Sequence, residues 1–440
     1  MHNLAIALHK KGYQVSGSDD VIFEPSVSRL RAHGLLPSQM GWSETNISDD
    51  LDAVILGMHA LKDNPELLRA QSLGLKIYSY PEYIYEQTKE KLRVVIGGSH
   101  GKTTITSMIL HVLNRCNRDF DYLVGAQLAG FDTMVKITDS APVIIIEGDE
   151  YLASAIDRRP KFHLYKANIG VISGIAWDHI NVFPTYADYV RQFEIFIGTI
   201  QPGGTLIYCQ ADEDLCKIVQ HAGDSVAKTG YLIPDHVVKE GVTYLLPTNT
   251  PLNIFGDHNL MNLNAARLVC EKLGIEEAAF NGAIASFKGA SKRLELLRSV
   301  NKTNVYKDFA HSPSKLKATI EAVKLQFGER KLVACIELHT FSSLNKAFLS
   351  QYANTMTNAD VAIVYIDERI FEQKKLEPFT REDVQTAFND PTIKFFNNFS
   401  LLESYLLSIN FYNTNLLLMS SGNYGGLDLA KLAQELNTIT

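Results

Sequence analysis

Short runs of apolar residues recur along this chain: Ala53-Val54-Ile55-Leu56, Arg93-Val94-Val95-Ile96, Val143-Ile144-Ile145-Ile146, Gly170-Val171-Ile172, Thr205-Leu206-Ile207-Tyr208, Leu332-Val333-Ala334-Cys335-Ile336, Val361-Ala362-Ile363-Val364 and Leu416-Leu417-Leu418-Met419. A strand with one wet face alternates apolar and polar residues, so a strand apolar throughout is covered on both faces. Segments with helical spacing, such as Ile105, Met108, Ile109, Val112 and Leu113, separate the runs and supply that cover. This alternation predicts an α/β architecture of open sheets. The chain has 440 residues, too many for one ordinary core. Its runs fall into three groups, which predicts three consecutive domains at 1–90, 91–292 and 293–440. Tyr13-Gln14-Val15-Ser16, Lys76-Ile77-Tyr78 and Asn304-Val305-Tyr306 read as further strands. The chain opens on a helix, His2 to Lys10, where a βαβ unit begins with a strand and a glycine-rich turn.

Bulk properties exclude several classes. The net charge of -7 gives no electrostatic ground for binding nucleic acid. No apolar run reaches bilayer length, and His2-Asn3-Leu4 does not open a signal peptide. Cys116, Cys209, Cys216, Cys270 and Cys335 are scattered without a C-x-x-C pair, and three of them (Cys209, Cys270, Cys335) sit in apolar stretches as small core residues. A reducing, cytoplasmic compartment is expected, and a monomer or weak dimer.

The run Arg93–Ile96 leads into Gly98-Ser99-His100-Gly101-Lys102-Thr103, with Thr104 opening the amphipathic segment that follows. Phosphates need several backbone N–H groups converging on one point, and a cation. Glycines admit the close approach, a helix N-terminus adds its dipole, and Lys102 supplies charge. The Thr103 hydroxyl is placed to ligate Mg2+. Ile96 stands where the longest form of this motif has its first glycine, so the segment fits a shorter G-x-x-G-K-T form. The plainer alternative is a glycine-rich turn with an exposed lysine. The loop predicts ATP binding in a P-loop-type domain, and motors, switches and synthetases all share it.

Five other segments carry donor groups. Glu147-Gly148-Asp149-Glu150 follows a buried run, at the strand end where open sheets bind ligands. Asp178-His179 lies just beyond Gly170–Ile172 and offers an imidazole to a metal, or serves structure. In Gly256-Asp257-His258-Asn259-Leu260-Met261-Asn262, Asn259 and Asn262 lie one helical turn apart, suited to an adenine edge or to helix capping. Arg293 suits a phosphoryl group and Asp308, in Asp308-Phe309-Ala310-His311, a ribose; a surface ion pair is the alternative.

Taken in order, these segments resemble the Mur ligase family of ATP-dependent amide ligases. Its G-T-x-G-K-T loop is similar to Gly98–Thr103, its E-A-D-E segment to Glu147–Glu150 and its D-H pair to Asp178-His179. Its H-N-x-x-N segment is similar to His258–Asn262, and its R-x-E and D-[YF]-[AG]-H-x-P elements to Arg293-Leu294-Glu295 and Asp308–Pro313. Within the family, Val15-Ser16-Gly17-Ser18-Asp19 and Asp63-Asn64-Pro65-Glu66-Leu67 resemble the branch that extends UDP-N-acetylmuramate. Glu147–Tyr151, then Asp157-Arg158-Arg159-Pro160-Lys161-Phe162, and Arg293–Leu296 look more like its peptide-adding than its alanine-adding member. Departures are the absent opening strand and glycine loop, for which a natural start upstream of Met1 and an unusual first domain are the two expectations, and Gly174-Ile175-Ala176-Trp177 where the family has N-I-E-x. Arg191-Gln192 occupies the neighbourhood of a carbamylated lysine found in other branches.

The resemblance implies a Rossmann-like N-terminal domain, a P-loop-type centre and a Rossmann-like C-terminal domain. It implies that the lactyl carboxylate of UDP-N-acetylmuramate takes the γ-phosphoryl group of ATP, and that an amine then displaces phosphate. That amine belongs to L-Ala-γ-D-Glu-meso-diaminopimelate or, alternatively, to L-alanine. Lys102, His179 and Arg293 would act in catalysis, and Thr103, Glu147 and His179 would hold Mg2+. Gly98, Ser99, His100, Gly101, Thr104, Asn259, Asn262, Asp308 and His311 would complete the ATP site. Ser18 and Asp19 would meet the nucleotide sugar, and His339 and Asn423, after strands of the last domain, the short peptide or amino acid. A P-loop ATPase switch or motor is the alternative from another class.

Overall fold

A computed structural model describes residues 1–128, 130–177, 182–290 and 293–438. By its internal contacts the chain forms two units, one of Met1–Leu232 with Met261–Ile284, the other of Ile233–Leu260 with Ala285–Thr440. The division falls inside the helix Asp257–Lys272. The α/β architecture with parallel-rich sheets is the one the apolar runs predict.

In the first unit, β1 (Val54–Leu56) and β2 (Ile77–Ser79) form a parallel pair. The helix His2–Lys10 buries Leu4, Ile6, Ala7 and Leu8. The strand expected at Tyr13–Ser16 does not form. The Tyr13 N–H closes the end of that helix on Leu8 O at 3.1 Å, and no ladder partner lies beside the segment among the described residues. Valine and tyrosine favour strands only where a neighbouring strand gives them a pleated surface to cover.

The larger sheet of this unit has seven strands: β3 (Leu92–Gly97), β4 (Asp121–Leu123), β5 (Val135–Lys136), β6 (Val143–Glu147), β7 (Ile169–Ile172), β8 (Thr205–Cys209) and β9 (Ala227–Tyr231). Their order is β5-β4-β6-β3-β7-β8-β9, with only β5 antiparallel to its neighbour. Central β3 and β6 are buried on both sides, as their composition requires. The helix Lys102–Arg115 contributes Ile105, Met108, Ile109 and Val112 to the core. The stacked rings of Phe162 and Phe196, 4.8 Å apart, lie against Gly97, Gly148 and Gly170, which leave room for them. Each fully buried large side chain of this kind contributes roughly 1.5–3 kcal/mol.

Arg93, at the start of β3, is buried among main-chain carbonyls. Its Nη1 donates to Thr88 O, Lys89 O and Lys91 O at 3.1, 2.7 and 2.9 Å, and its Nε to Tyr165 O and Lys166 O at 3.0 and 3.1 Å. The helix Tyr80–Thr88 thus ends on a guanidinium, which suits the negative end of its dipole.

The second unit holds a small antiparallel sheet of β10 (His236–Lys239), β11 (Val242–Leu245) and β12 (Thr250–Leu252). Its main sheet comprises β13 (Glu295–Val300), β14 (Thr303–Asp308), β15 (Lys331–Glu337), β16 (Val361–Tyr365), β17 (Lys394–Phe396) and β18 (Thr414–Met419), in the order β13-β14-β18-β15-β16-β17. Leu332, Ala334 and Ile336 of β15 enter one hydrophobic cluster, Val333 and Cys335 the other. Both faces are covered. All five cysteines are free thiols, and Cys209, Cys270 and Cys335 are buried. Among the described residues no helix is long and apolar enough to cross a membrane.

His163, on the short helix Lys161–Leu164, is buried with its Nε2 bonded to Gln192 O at 2.7 Å. Burial pushes this imidazole from 6.5 down to about 4. An unfolded chain therefore takes up a proton that the folded chain refuses, and stability falls as pH drops from 6.5 towards 4. His163→Gln should flatten this part of the urea-unfolding profile by about 3 kcal/mol; an unchanged slope would contradict the assignment.

Candidate functional site

In the seven-stranded sheet the chain leaves β3 in opposite directions, to β6 on one side and β7 on the other. A crevice opens at the carboxyl ends of strands where their order reverses in this way. The segment 98–103 lies there. Gly98 has φ +126°, and a Cβ on it would come within 2.8 Å of Ser173 N. Gly101 has φ +76°, and a Cβ on it would strike the Asn262 amide. Both positions admit glycine alone. The Ser99 N–H is held by Gly174 O at 2.9 Å, and the Ser173 hydroxyl donates to His100 O. The Ser99 hydroxyl and His100 Nδ1 are bonded at 2.8 Å. Gly101 caps the helix Lys102–Arg115, whose first N–H groups, at Lys102, Thr103 and Thr104, have no carbonyl within the helix to bond. Amides, dipole and lysine are thereby gathered for an anion.

The turn after β6 carries three carboxylates, each held differently. Glu147 Oε1 accepts from the Thr103 hydroxyl at 2.7 Å and Oε2 from Gly125 N at 2.9 Å. Asp149 Oδ2 accepts from Lys161 Nζ at 2.6 Å. Glu150, 1% exposed, accepts from Lys102 Nζ at 2.8 and 3.1 Å. Burial depresses the Lys102 ammonium, but the opposing pull of Glu150, with Glu147 and Asp149 behind it, leaves its pKa raised. Glu147 is the one of the three whose bonds come from neutral donors among the described residues. A carboxylate beside a hydroxyl is an all-oxygen pair, the donor chemistry of a hard divalent cation. The described residues contain no ready-made cluster of three or more His, Cys, Asp or Glu for a metal.

Asp178 and His179 lie outside the described residues. Just before them Ile175 N donates to Asp212 Oδ2 at 2.7 Å, fixing the exit from β7. Asn262 meets the loop at Gly101, whereas Asn259 is buried and donates to Phe255 O at 3.0 Å. Ser18 accepts from Asn46 Nδ2 at 3.0 Å, and Asn46 also donates to Glu66 at 2.8 Å. Asp19 is exposed.

Two groups stand at strand ends of the second unit. Asp308, ending β14, accepts from Leu294 N and Ala310 N, each at 2.7 Å. Burial raises its pKa against the pull of Arg293, those N–H groups and His258. Burial lowers His258 in turn, opposed by Asp308 and Asp257. The Arg293 guanidinium lies 4.7 Å from the Phe309 ring centre, and His311 Nδ1 bonds Phe309 O at 2.8 Å. At the end of β15, buried Glu337 accepts from the Ser420 hydroxyl and, at 2.9 Å, from Tyr424 N. A Cβ on Gly422 would approach both Glu337 and the His339 ring, so His339 and the turn carrying exposed Asn423 are neighbours.

Sequence reasoning missed Gly125, and it quoted Glu150 and Lys161 in their segments without finding their partners, Lys102 and Asp149. Gly125 follows β4, a three-residue strand without an apolar run to mark it.

Residues 1–91 match the Mur ligase family catalytic domain, 96–270 the Mur ligase middle domain and 292–407 the Mur ligase glutamate ligase domain. The UDP-N-acetylmuramate–L-alanine ligase of Caldicellulosiruptor bescii is 31% identical over 425 residues, 92% of this chain and 90% of that one. In fold, the UDP-N-acetylmuramate–alanine ligase of Thermotoga maritima aligns with a TM-score of 0.68 at 20% identity, over 98% of this chain and 95% of that one. The murein peptide ligase of Psychrobacter arcticus 273-4 aligns with a TM-score of 0.62 at 21% identity, over 100% and 97%.

Gly98→Ala should destabilise the protein by about 2–4 kcal/mol, through positive φ and the clash at Ser173. Thermal unfolding checks this; an unchanged midpoint would mean the loop takes another path.

Proposed function

Because the chain belongs to the Mur ligase family, whose members are ATP-dependent amide-bond ligases, we propose that it joins UDP-N-acetylmuramate to the murein tripeptide L-Ala-γ-D-Glu-meso-diaminopimelate. A carboxylate does not acylate an amine in neutral water, because its leaving group is too poor. The lactyl carboxylate of the acceptor attacks the γ-phosphorus and ADP leaves; the amine then attacks the acyl carbon and phosphate leaves.

The chain's part is positioning and charge neutralisation. Gly98–Thr104 and Lys102 hold the phosphates. Thr103 and Glu147 would hold Mg2+, which offsets phosphate charge, and His179 is assigned to a second ion by the family motif. Arg293 meets the transferred phosphoryl group, and Asn259, Asn262, Asp308 and His311 serve the nucleoside. We assign 1–90 to the nucleotide sugar with Ser18 and Asp19, 91–292 to ATP, and 293–440 to the amine substrate with His339 and Asn423.

The tripeptide reading rests on the resemblance of two segments, Glu147–Tyr151 and Asp157–Phe162, to the peptide-adding member, and the Asp149–Lys161 pair at 2.6 Å bears on it only by joining them. A second reading, L-alanine as the amine, is favoured by the name of the Caldicellulosiruptor bescii relative.

With UDP-N-acetylmuramate, ATP and Mg2+, the tripeptide should be ligated with kcat/KM at least about 100-fold above that of L-alanine, read by product mass. The reverse preference would establish the second reading. Phosphate release that ignores UDP-N-acetylmuramate would point to a switch or motor instead. Glu147→Gln should lower kcat/KM for ATP by about 100-fold, and undiminished turnover would remove Glu147 from the site.

A further inference from the structure

In the acidic turn Glu147 serves the Thr103 hydroxyl, and Glu150 has no part in that pair. It is the most deeply buried carboxylate of the three, and it faces the lysine of the phosphate loop. An ammonium has three N–H donors. Lys102 Nζ has three acceptors around it: Glu150 Oε2 at 2.8 Å, Glu150 Oε1 at 3.1 Å and Gly98 O at 2.5 Å. Its donors are therefore spoken for, and a phosphate oxygen can be bonded only by taking one of these places.

The three acceptors differ in how readily they yield. Gly98 O belongs to a main chain fixed by its positive φ and by its close approach to Ser173. The carboxylate is on a side chain, and it competes with phosphate for the same charge. We propose that Glu150 is a positioning residue for Lys102: it holds the ammonium at the phosphate loop, and the phosphates of ATP compete with it for that ammonium. The idea rests on the reading of Gly98–Thr103 as the ATP phosphate site and adds a partner to it. Lysine is a flexible side chain on a compact point charge. A resident carboxylate keeps it extended along the loop, at the cost of weaker ground-state attraction for nucleotide.

The test is a double-mutant cycle on the full chain, with binding of the non-hydrolysable analogue AMP-PNP and Mg2+ followed by calorimetry. Glu150→Gln removes the competing charge and should tighten binding about tenfold, as expected when one charge-assisted bond no longer has to be given up. In the Lys102→Ala background the same change should leave affinity unaltered, because its effect runs through the lysine. A purely structural Glu150 predicts the opposite pattern, with a lowered melting temperature and unchanged or weakened binding in either background. That result would overturn the proposal. So would tightening that persists without Lys102. If Glu150→Gln does not fold, Glu150→Asp, which keeps the charge but shortens the reach, serves in its place and should also tighten binding. Failure of the unmutated protein to bind AMP-PNP would instead overturn the ATP reading, and the proposal with it.

Discussion

A lysine ammonium cannot rest at the mouth of a sheet crevice, shielded from most of the solvent, without an opposing charge. The placement of Lys102 therefore constrains much of the first unit. Its counter-charge, Glu150, comes from the turn after β6, so β6 must lie beside β3 and in parallel register with it. The same turn must spare a second carboxylate, Glu147, for the Thr103 hydroxyl, and it can do so only because Gly125, beyond β4, offers an N–H with no side chain in the way. Three strand ends thus meet around one cation. The strand order β4-β6-β3 is the topology that satisfies this electrostatic need.

How much of this was legible in the sequence depended on whether a residue acts locally. The loop 98–103 could be read because strand, glycines, lysine and helix are contiguous. The buried runs of β3, β6, β15, β16 and β18 could be read because apolar cover on both faces leaves its mark at every position. The run at Tyr13–Ser16 misled because a strand needs a partner, and partners are not written in a local pattern. Short strands such as β4, β5 and β17 were invisible for the opposite reason, since pairing makes them without any long run of their own. The partners of Gly125, Glu150 and Lys161 were missed because these pairings exist only across chain separations of 12 to 48 residues.

The second unit repeats the principle with different chemistry. Asp308 is buried and His258 half-buried, and desolvation pushes each towards its neutral form while each opposes the shift in the other. Arg293 adds a fixed positive charge that favours the ionised carboxylate. The two backbone N–H groups on Asp308 hold it in one orientation, so the aspartate is prepared for a further donor without needing to turn.

Arg93 has a consequence of another kind. Every acceptor around its guanidinium is a main-chain carbonyl, so it recognises the course of the backbone at 88–91 and 165–166 and is indifferent to the side chains there. Thr88 and Tyr165 are themselves buried, so the guanidinium ties together a backbone path that the core also fixes. Lysine, with three donors on a single point, could not reach the same set. This arginine is owed to the shape of the chain, and a buried charge of this kind is easily mistaken for a catalytic one.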